Sequence, residues 1–221
     1  MLTKMKKWYT KIMSDDFKKT YLEENIYYVE NFMSDKEIDA IMSMNLDWTL
    51  IRNDFHQNIL NSWVPSGHER EYFKKNVEDK IRLLVDDERQ KLRSTSLLTK
   101  YAPDQDKCSG KDCGCQGYDL SWHYENHPGC DYESKWIRWG VVLYFNDDYE
   151  GGELVFQHKP IEIKPKKGSL MVFPASEEYS HAVKKVSGND RYVFSAFVYA
   201  RDYWELLNRS GLIDPLFVFE P

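Results

Sequence analysis

Cysteine and histidine are scarce in this chain of 221 residues, which has four of the first and six of the second. Cysteines confined to one short stretch, Cys108 to Cys130, cannot staple a whole fold. A hydrophobic core has to hold it, and the chain is long enough to bury one without disulfides. No apolar run reaches the ~20 residues of a membrane span. Met1 to Lys11 carries lysines and aromatics but no apolar core of a signal peptide, so a short amphipathic helix is expected there. These absences lead to the expectation of a cytoplasmic protein with reduced thiols and no membrane partner. There is no basic excess either. The formal net charge is −6, against a nucleic-acid partner, and Lys164, Lys166 and Lys167 read as solvated surface. There is no internal repeat, low-complexity run or linker, so one large domain is expected.

Aromatics are plentiful, at 15% of residues, which favours a β-rich core with a lined pocket. The first half reads as helical. Ser34 and Glu37 fit a capping box, with Met33 and Ile38 as its hydrophobic staple, after a short strand over Asn25 to Glu30. A second box, Ser66 to Glu69, opens a longer helix striped by Phe73, Val77, Ile81, Leu84 and Val85 and ending near Glu88. Trp48 to Pro65 has no clean period. From there the pattern shortens to strands, over Ser96–Tyr101, Trp136–Phe145, Glu153–Gln157, Ser169–Pro174 and Arg191–Tyr199, separated by Gly, Asn, Asp and Pro turns. Short strands at regular spacing point to a sandwich or jelly-roll barrel. Helices followed by strands give an α+β class with the helices on one face. The expected organisation is an N-terminal extension over 1–24, helical in character, a domain over 25–200 with a cysteine-bearing insert at 104–131, and a C-terminal extension over 201–221.

His123-Tyr124-Glu125 sets a histidine and a carboxylate two residues apart, a spacing that shares one face of a strand. His181 lies several strands downstream, where a barrel can bring it alongside. Two histidines and one carboxylate on one face of an octahedral ion leave three positions open, the arrangement of non-haem iron oxygenases. The bland alternative for so short a motif is a surface strand with solvated side chains. Trp122, Trp136, Trp139, Tyr144 and Phe173 are candidates to line a pocket or to fill a plain barrel core.

Longer motifs surround the metal candidates. They are Leu143-Tyr-Phe-Asn-Asp-Asp-Tyr-Glu-Gly-Gly-Glu-Leu154, Pro165 to Pro174, and His181-Ala-Val-Lys-Lys-Val-Ser-Gly-Asn-Asp-Arg191, with Val29 to Ser34 upstream. Together they resemble the prolyl 4-hydroxylase-type 2-oxoglutarate oxygenases over about Ile26 to Tyr199. The resemblance implies a double-stranded β-helix, Fe(II) held by His123, Glu125 and His181, dioxygen, 2-oxoglutarate as co-substrate and sensitivity to ascorbate. It implies that Arg191 binds the distal carboxylate of 2-oxoglutarate, with Tyr101 as second partner. It also implies hydroxylation of a C–H bond with release of succinate and CO2, the favoured substrate being a prolyl residue in a peptide or protein. Glu125 departs from the pattern, since the family usually has Asp there. A free amino acid or other small molecule as substrate, and a non-catalytic metal-binding module, are the competing readings.

Cys108, Cys113, Cys115 and Cys130 form a second cluster. Four soft ligands can close a tetrahedral zinc site, and His127 can replace one of them. Two disulfides or four free thiols are the alternatives. Elemental analysis separates them. Zinc ligation predicts about one zinc per chain after dialysis against a weak chelator, lowered by Cys113→Ser. Two intact disulfides by mass spectrometry, with no zinc, would replace that reading.

Overall fold

The computed structural model describes residues 17–50, 59–94, 96–103, 118–126, 134–203 and 205. The chain starts with a hairpin, β1 (Lys19–Glu23) and β2 (Ile26–Val29), followed by helix α1 (Asp35–Met42). Short strands β3 (Thr49–Leu50) and β4 (Ile59–Trp63) lead to α2 (His68–Phe73), a π-helical turn (Lys74–Glu78) and α3 (Asp79–Val85). The rest is strand: β5 (Gln90–Arg93), β6 (Leu97–Tyr101), β7 (Tyr118–His123), β8 (Ile137–Tyr144), β9 (Glu150–Gly151), β10 (Leu154–Phe156), β11 (Glu162–Ile163), β12 (Leu170–Pro174), β13 (His181–Lys184), β14 (Val186–Ser187) and β15 (Arg191–Ala200). A large antiparallel sheet runs β1-β2-β12-β8-β15-β6-β4-β3, with β5 also on β15. A smaller one runs β11-β10-β13-β7, and β14 pairs with β9. This is the expected α+β jelly roll.

Alternation along the strands sorts side chains into two cores. Leu170 and Val172 of β12, Val141 and Leu143 of β8, and Phe194, Ala196 and Val198 of β15 face the helices. There they meet Ile38 and Ile41 of α1 and the stripe Phe73, Val77, Ile81, Leu84 and Val85, all buried as read from the sequence. The intervening residues Met171, Phe173, Tyr144 and Val193 face the barrel interior with Tyr101, Tyr149, Leu154 and Phe156. The stripe steps by four residues from Phe73 to Val77 to Ile81 to Val85. In a pure α-helix that spacing drifts by roughly 40° per step. The π turn at Lys74–Glu78 holds one extra residue and keeps the stripe facing the sheet.

Several expectations need correction. The Ser34–Glu37 capping box forms, with Ser34 Oγ accepting from the Glu37 amide and the Glu37 carboxylate accepting from the Ser34 amide at 2.8 Å. The one at Ser66–Glu69 does not. Gly67, at φ 83°, takes the cap position, which leaves Ser66 one residue too early to reach the first turn. The second helical segment stops at Val85, where Asp86 turns to extended backbone, and not near Glu88. The N-terminal extension is not helical where it is described. Lys19–Glu23 pairs with β2, so the sheet starts before residue 25. The amphipathic reading of Met1 to Lys11 lies outside the described residues, as do the four cysteines and His127. Among the described residues no helix is long and apolar enough to cross a membrane.

The turn between β5 and β6 is tied to the helical layer by Glu78, a carboxylate with no exposed surface. It accepts from Ser94 Oγ at 2.7 Å, Ser96 Oγ at 2.5 Å and Arg70 Nη1 at 3.0 Å. Removing it leaves buried hydroxyls and a cation unsatisfied. Glu78→Ala should cost about 3 kcal/mol. For a chain of this size that corresponds to a fall in melting temperature of roughly 6–12 °C, readable by circular dichroism.

Candidate metal and dicarboxylate site

Strand register assembles the site. β13 and β7 run antiparallel with His181 directly opposite His123, and the two rings lie 4.3 Å apart. Glu125 does not share the strand as its spacing suggested. β7 ends at His123, and Glu125 sits in the bend that follows. Asn126 pins that bend, its amide donating to the Ala175 carbonyl at 2.9 Å and its Nδ2 to the Ile137 carbonyl at 3.1 Å. The result is still convergent. Ligand atoms of His123, Glu125 and His181 all lie within 4.8 Å of one another.

The donor set suits a divalent cation. Nδ1 of His123 faces the Ser121 carbonyl at 2.8 Å, and Nδ1 of His181 faces that of Tyr179 at 3.1 Å. A hydrogen on each Nδ1 donates to those carbonyls and leaves Nε2 as the ligating atom, the usual arrangement around metal-bound histidine. His181 Nε2 is 3.3 Å from Glu125 Oε1, while Glu125 Oε2 is buried without a hydrogen-bond partner. Burial pushes the His181 imidazole down, yet the adjacent carboxylate outweighs it, and its pKa stands above that of a free histidine. A cation among these atoms would neutralise the carboxylate and take the proton's place.

The second half of the site lies in the large sheet. β15 pairs with β6 so that Arg191 is opposite Tyr101, with the guanidinium 4.6 Å from the Tyr101 ring and 5.3 Å from that of Tyr144. Arg191 is 1% exposed, and its Nε and Nη1 have no hydrogen-bond partner. The buried hydroxyls of Tyr144 and Tyr149 have none either. Burial raises the pKa of Tyr101, Tyr144 and Tyr149, with Arg191 working against it. At neutral pH these are phenols that can donate. A buried cation with two unpartnered nitrogens, ringed by phenols, has the chemistry to take an anion.

The two halves share one cavity of about 140 Å³, lined by Tyr101, His123, Glu125, Tyr144, His181 and Arg191 among others. That volume is below the ~300 Å³ of a drug-sized pocket and fits a small acid. Phe173 also lines it. Trp122 is exposed, Trp136 stacks on Tyr203 and Trp139 donates to Gln90, so these three stay outside it. Tyr144, a candidate to line a pocket or fill the core, lines the cavity, whereas the sequence points to no role for Gly140 or Tyr149. Tyr144 and Gly140 both occupy inward positions of β8, which strand alternation would have exposed once the register was known.

Residues 111–199 match the 2OG-Fe(II) oxygenase superfamily. Prolyl 3-hydroxylase 2 of Rattus norvegicus and of Homo sapiens are each 38% identical to the chain over 58 residues, 24% of this chain and 8% of theirs. The match thus spans less than a tenth of those relatives' length. Among solved structures, a viral collagen prolyl hydroxylase from Paramecium Bursaria Chlorella virus-1, in its 2OG complex, superposes with a TM-score of 0.57 at 19% identity. It covers 80% of this chain and 96% of its own. A prolyl hydroxylase from Trichoplax adhaerens, in complex with a hypoxia inducible factor peptide fragment, gives 0.56 at 14% identity, covering 93% and 95%.

A test of the anion site needs no turnover. Arg191 is buried with Nε and Nη1 unpartnered, which costs the ligand-free fold stability, so Arg191→Met should melt no lower than the parent protein without ligand. It should also lose the rise in melting temperature that 2-oxoglutarate gives the parent. A large fall in the ligand-free melting temperature would make Arg191 a structural residue. Family match, barrel topology and side-chain geometry agree: the convergent His123, Glu125 and His181 all lie within residues 111–199, the stretch that matches the 2OG-Fe(II) oxygenase superfamily, on a double-stranded β-helix like that of the prolyl hydroxylase structures.

Proposed function

We propose that this domain hydroxylates a C–H bond of a prolyl residue in a peptide or protein, with 2-oxoglutarate as co-substrate. The observation that carries this reading is one small cavity with three convergent candidate metal ligands and a buried guanidinium, two of whose nitrogens lack a hydrogen-bond partner. His123, Glu125 and His181 would hold Fe(II). With only three protein ligands, such an ion would be able to take the co-substrate and dioxygen as well. Iron so held supplies the coupling of oxidative decarboxylation, giving succinate and CO2, to insertion of one oxygen atom into the substrate.

The chain's own residues orient and shield. Arg191 offers a planar fork to the far carboxylate, and Tyr101 and Tyr144 offer phenol hydrogens beside it. A dicarboxylate gripped there has its keto end directed along the cavity toward the three ligands. Phe156 and Phe173, both packed on the His181 ring, keep bulk water from that side. The prolyl assignment is supported by the names of the sequence relatives and by the peptide complex among the structural ones. Ascorbate, as a reductant that keeps iron divalent, belongs to the same reading.

His123→Ala or His181→Ala should abolish succinate formation at saturating iron while the fold persists. Near-normal turnover in either variant would remove that residue from the ligand set. Arg191→Ala should raise the apparent KM for 2-oxoglutarate by roughly thirtyfold or more, from ~2–5 kcal/mol for truncating one partner of a buried charged pair. Arg191→Lys should fall between, keeping charge without the fork. A proline-rich peptide assayed by mass spectrometry should gain one oxygen atom on proline. Gain on a free amino acid alone would shift the substrate class.

A further inference from the structure

Gly140 lies at the centre of β8, opposite Phe173 of β12 in a direct cross-strand pair. It has an ordinary strand conformation, so no backbone angle calls for glycine. What excludes a side chain is space. A Cβ at this position would lie 2.6 Å and 2.9 Å from the Phe173 ring and 3.1 Å from Glu125 Oε1. The ring is held fast. Phe173 has no exposed surface and is packed edge-on to Phe156 at 5.6 Å and to His181 at 4.6 Å. Glu125 is likewise enclosed, with its Oε1 facing His181.

We infer that Gly140 is a positioning residue for the cation site: the missing side chain is the space that lets a carboxylate as long as glutamate reach the ion beside His123 and His181. The inference rests on the ligand set proposed above. Glutamate carries one more methylene than aspartate, and from the bend at 125 that extra length brings its carboxylate over the Gly140 backbone. A methyl group there would overlap the Phe173 ring, pressing it toward His181, and would crowd the Glu125 oxygen at 3.1 Å so that the carboxylate has to give way. An aspartate at 125 would end one methylene short of the obstruction. Gly140 and the length of the residue at 125 are therefore coupled.

The test is a double-mutant cycle on Gly140→Ala and Glu125→Asp, read by Co(II) affinity and by the Co(II) absorption spectrum of the full chain. Gly140→Ala should weaken Co(II) binding about 10–100-fold when Glu125 is present, the range found when the supports of a metal ligand are lost. With Glu125→Asp the same substitution should cost at least threefold less, the remainder being what passes through Phe173, and the spectrum of the double variant should resemble that of Glu125→Asp more than that of Gly140→Ala. Equal fold losses in both backgrounds would overturn the inference, since the cycle cancels any effect acting through Phe173 alone. No loss in either background would overturn it as well. If Gly140→Ala does not fold, the cycle is repeated with Phe173→Leu, which removes the tightest contact. The underlying ligand assignment fails separately, if the parent protein itself binds no Co(II) at this site.

Discussion

A slip of one residue between β13 and β7 would turn His181 to the opposite face of its sheet, because side chains alternate along a strand. The convergence of the candidate metal ligands hangs on that register. Once His181 is opposite His123, Phe156 is placed opposite His181 by the next ladder, and the aromatic wall behind the imidazole follows. The same constraint acts in the large sheet, where β15 places Arg191 opposite Tyr101 and Val193 opposite Tyr144. In the large sheet the outward residues of β15, β8 and β6 form the core under the helices, so moving Arg191 by one position would expose that core to water.

This coupling explains how the scaffold tolerates a costly interior. A guanidinium with unpaired N–H groups, three buried phenols and a carboxylate beside an imidazole are all unfavourable in an apolar barrel. They are held there by two layers of aliphatic and aromatic packing that have no function of their own. Polar groups that serve structure are treated differently. Glu78 has hydroxyl and cation partners on one carboxylate oxygen, and Asp119 accepts from the Val186 amide at 2.8 Å. Oε1 of Glu78 has three partners and its Oε2 none within hydrogen-bond distance, whereas Nε and Nη1 of Arg191 both lack a partner beside a cavity.

Much of this was legible in the sequence. The strand runs ending at Tyr101, Tyr144 and Pro174, and the one beginning at Arg191, were plain because each alternates or is apolar throughout and is bounded by turn residues. The metal candidates were visible because histidine is rare and His181 precedes Arg191 in a recognisable motif. Other features were hidden for physical reasons. Lys19–Glu23 is half polar and is a strand only because β2 offers it an edge. Glu125 was placed on a strand by its spacing, whereas the hydrogen bonds of Asn126 that bend the chain are made to residues far along it. The helix start near Ser66 was misread by one residue because glycine can cap as well as serine. Gly140 and Tyr149 became meaningful only through neighbours that register and burial supplied.

The π turn at Lys74–Glu78 carries a consequence for comparing this chain with its relatives. A π turn holds one residue more than the α turn it replaces, and both flanking helices keep their apolar sides on the sheet. A relative with an uninterrupted helix would present the same face with one residue fewer. Position-by-position alignment upstream of Lys74 would then be out of step by one, although the packed residues correspond in space. In the helical layer, homology is to be traced through the buried stripe and not through the count of residues.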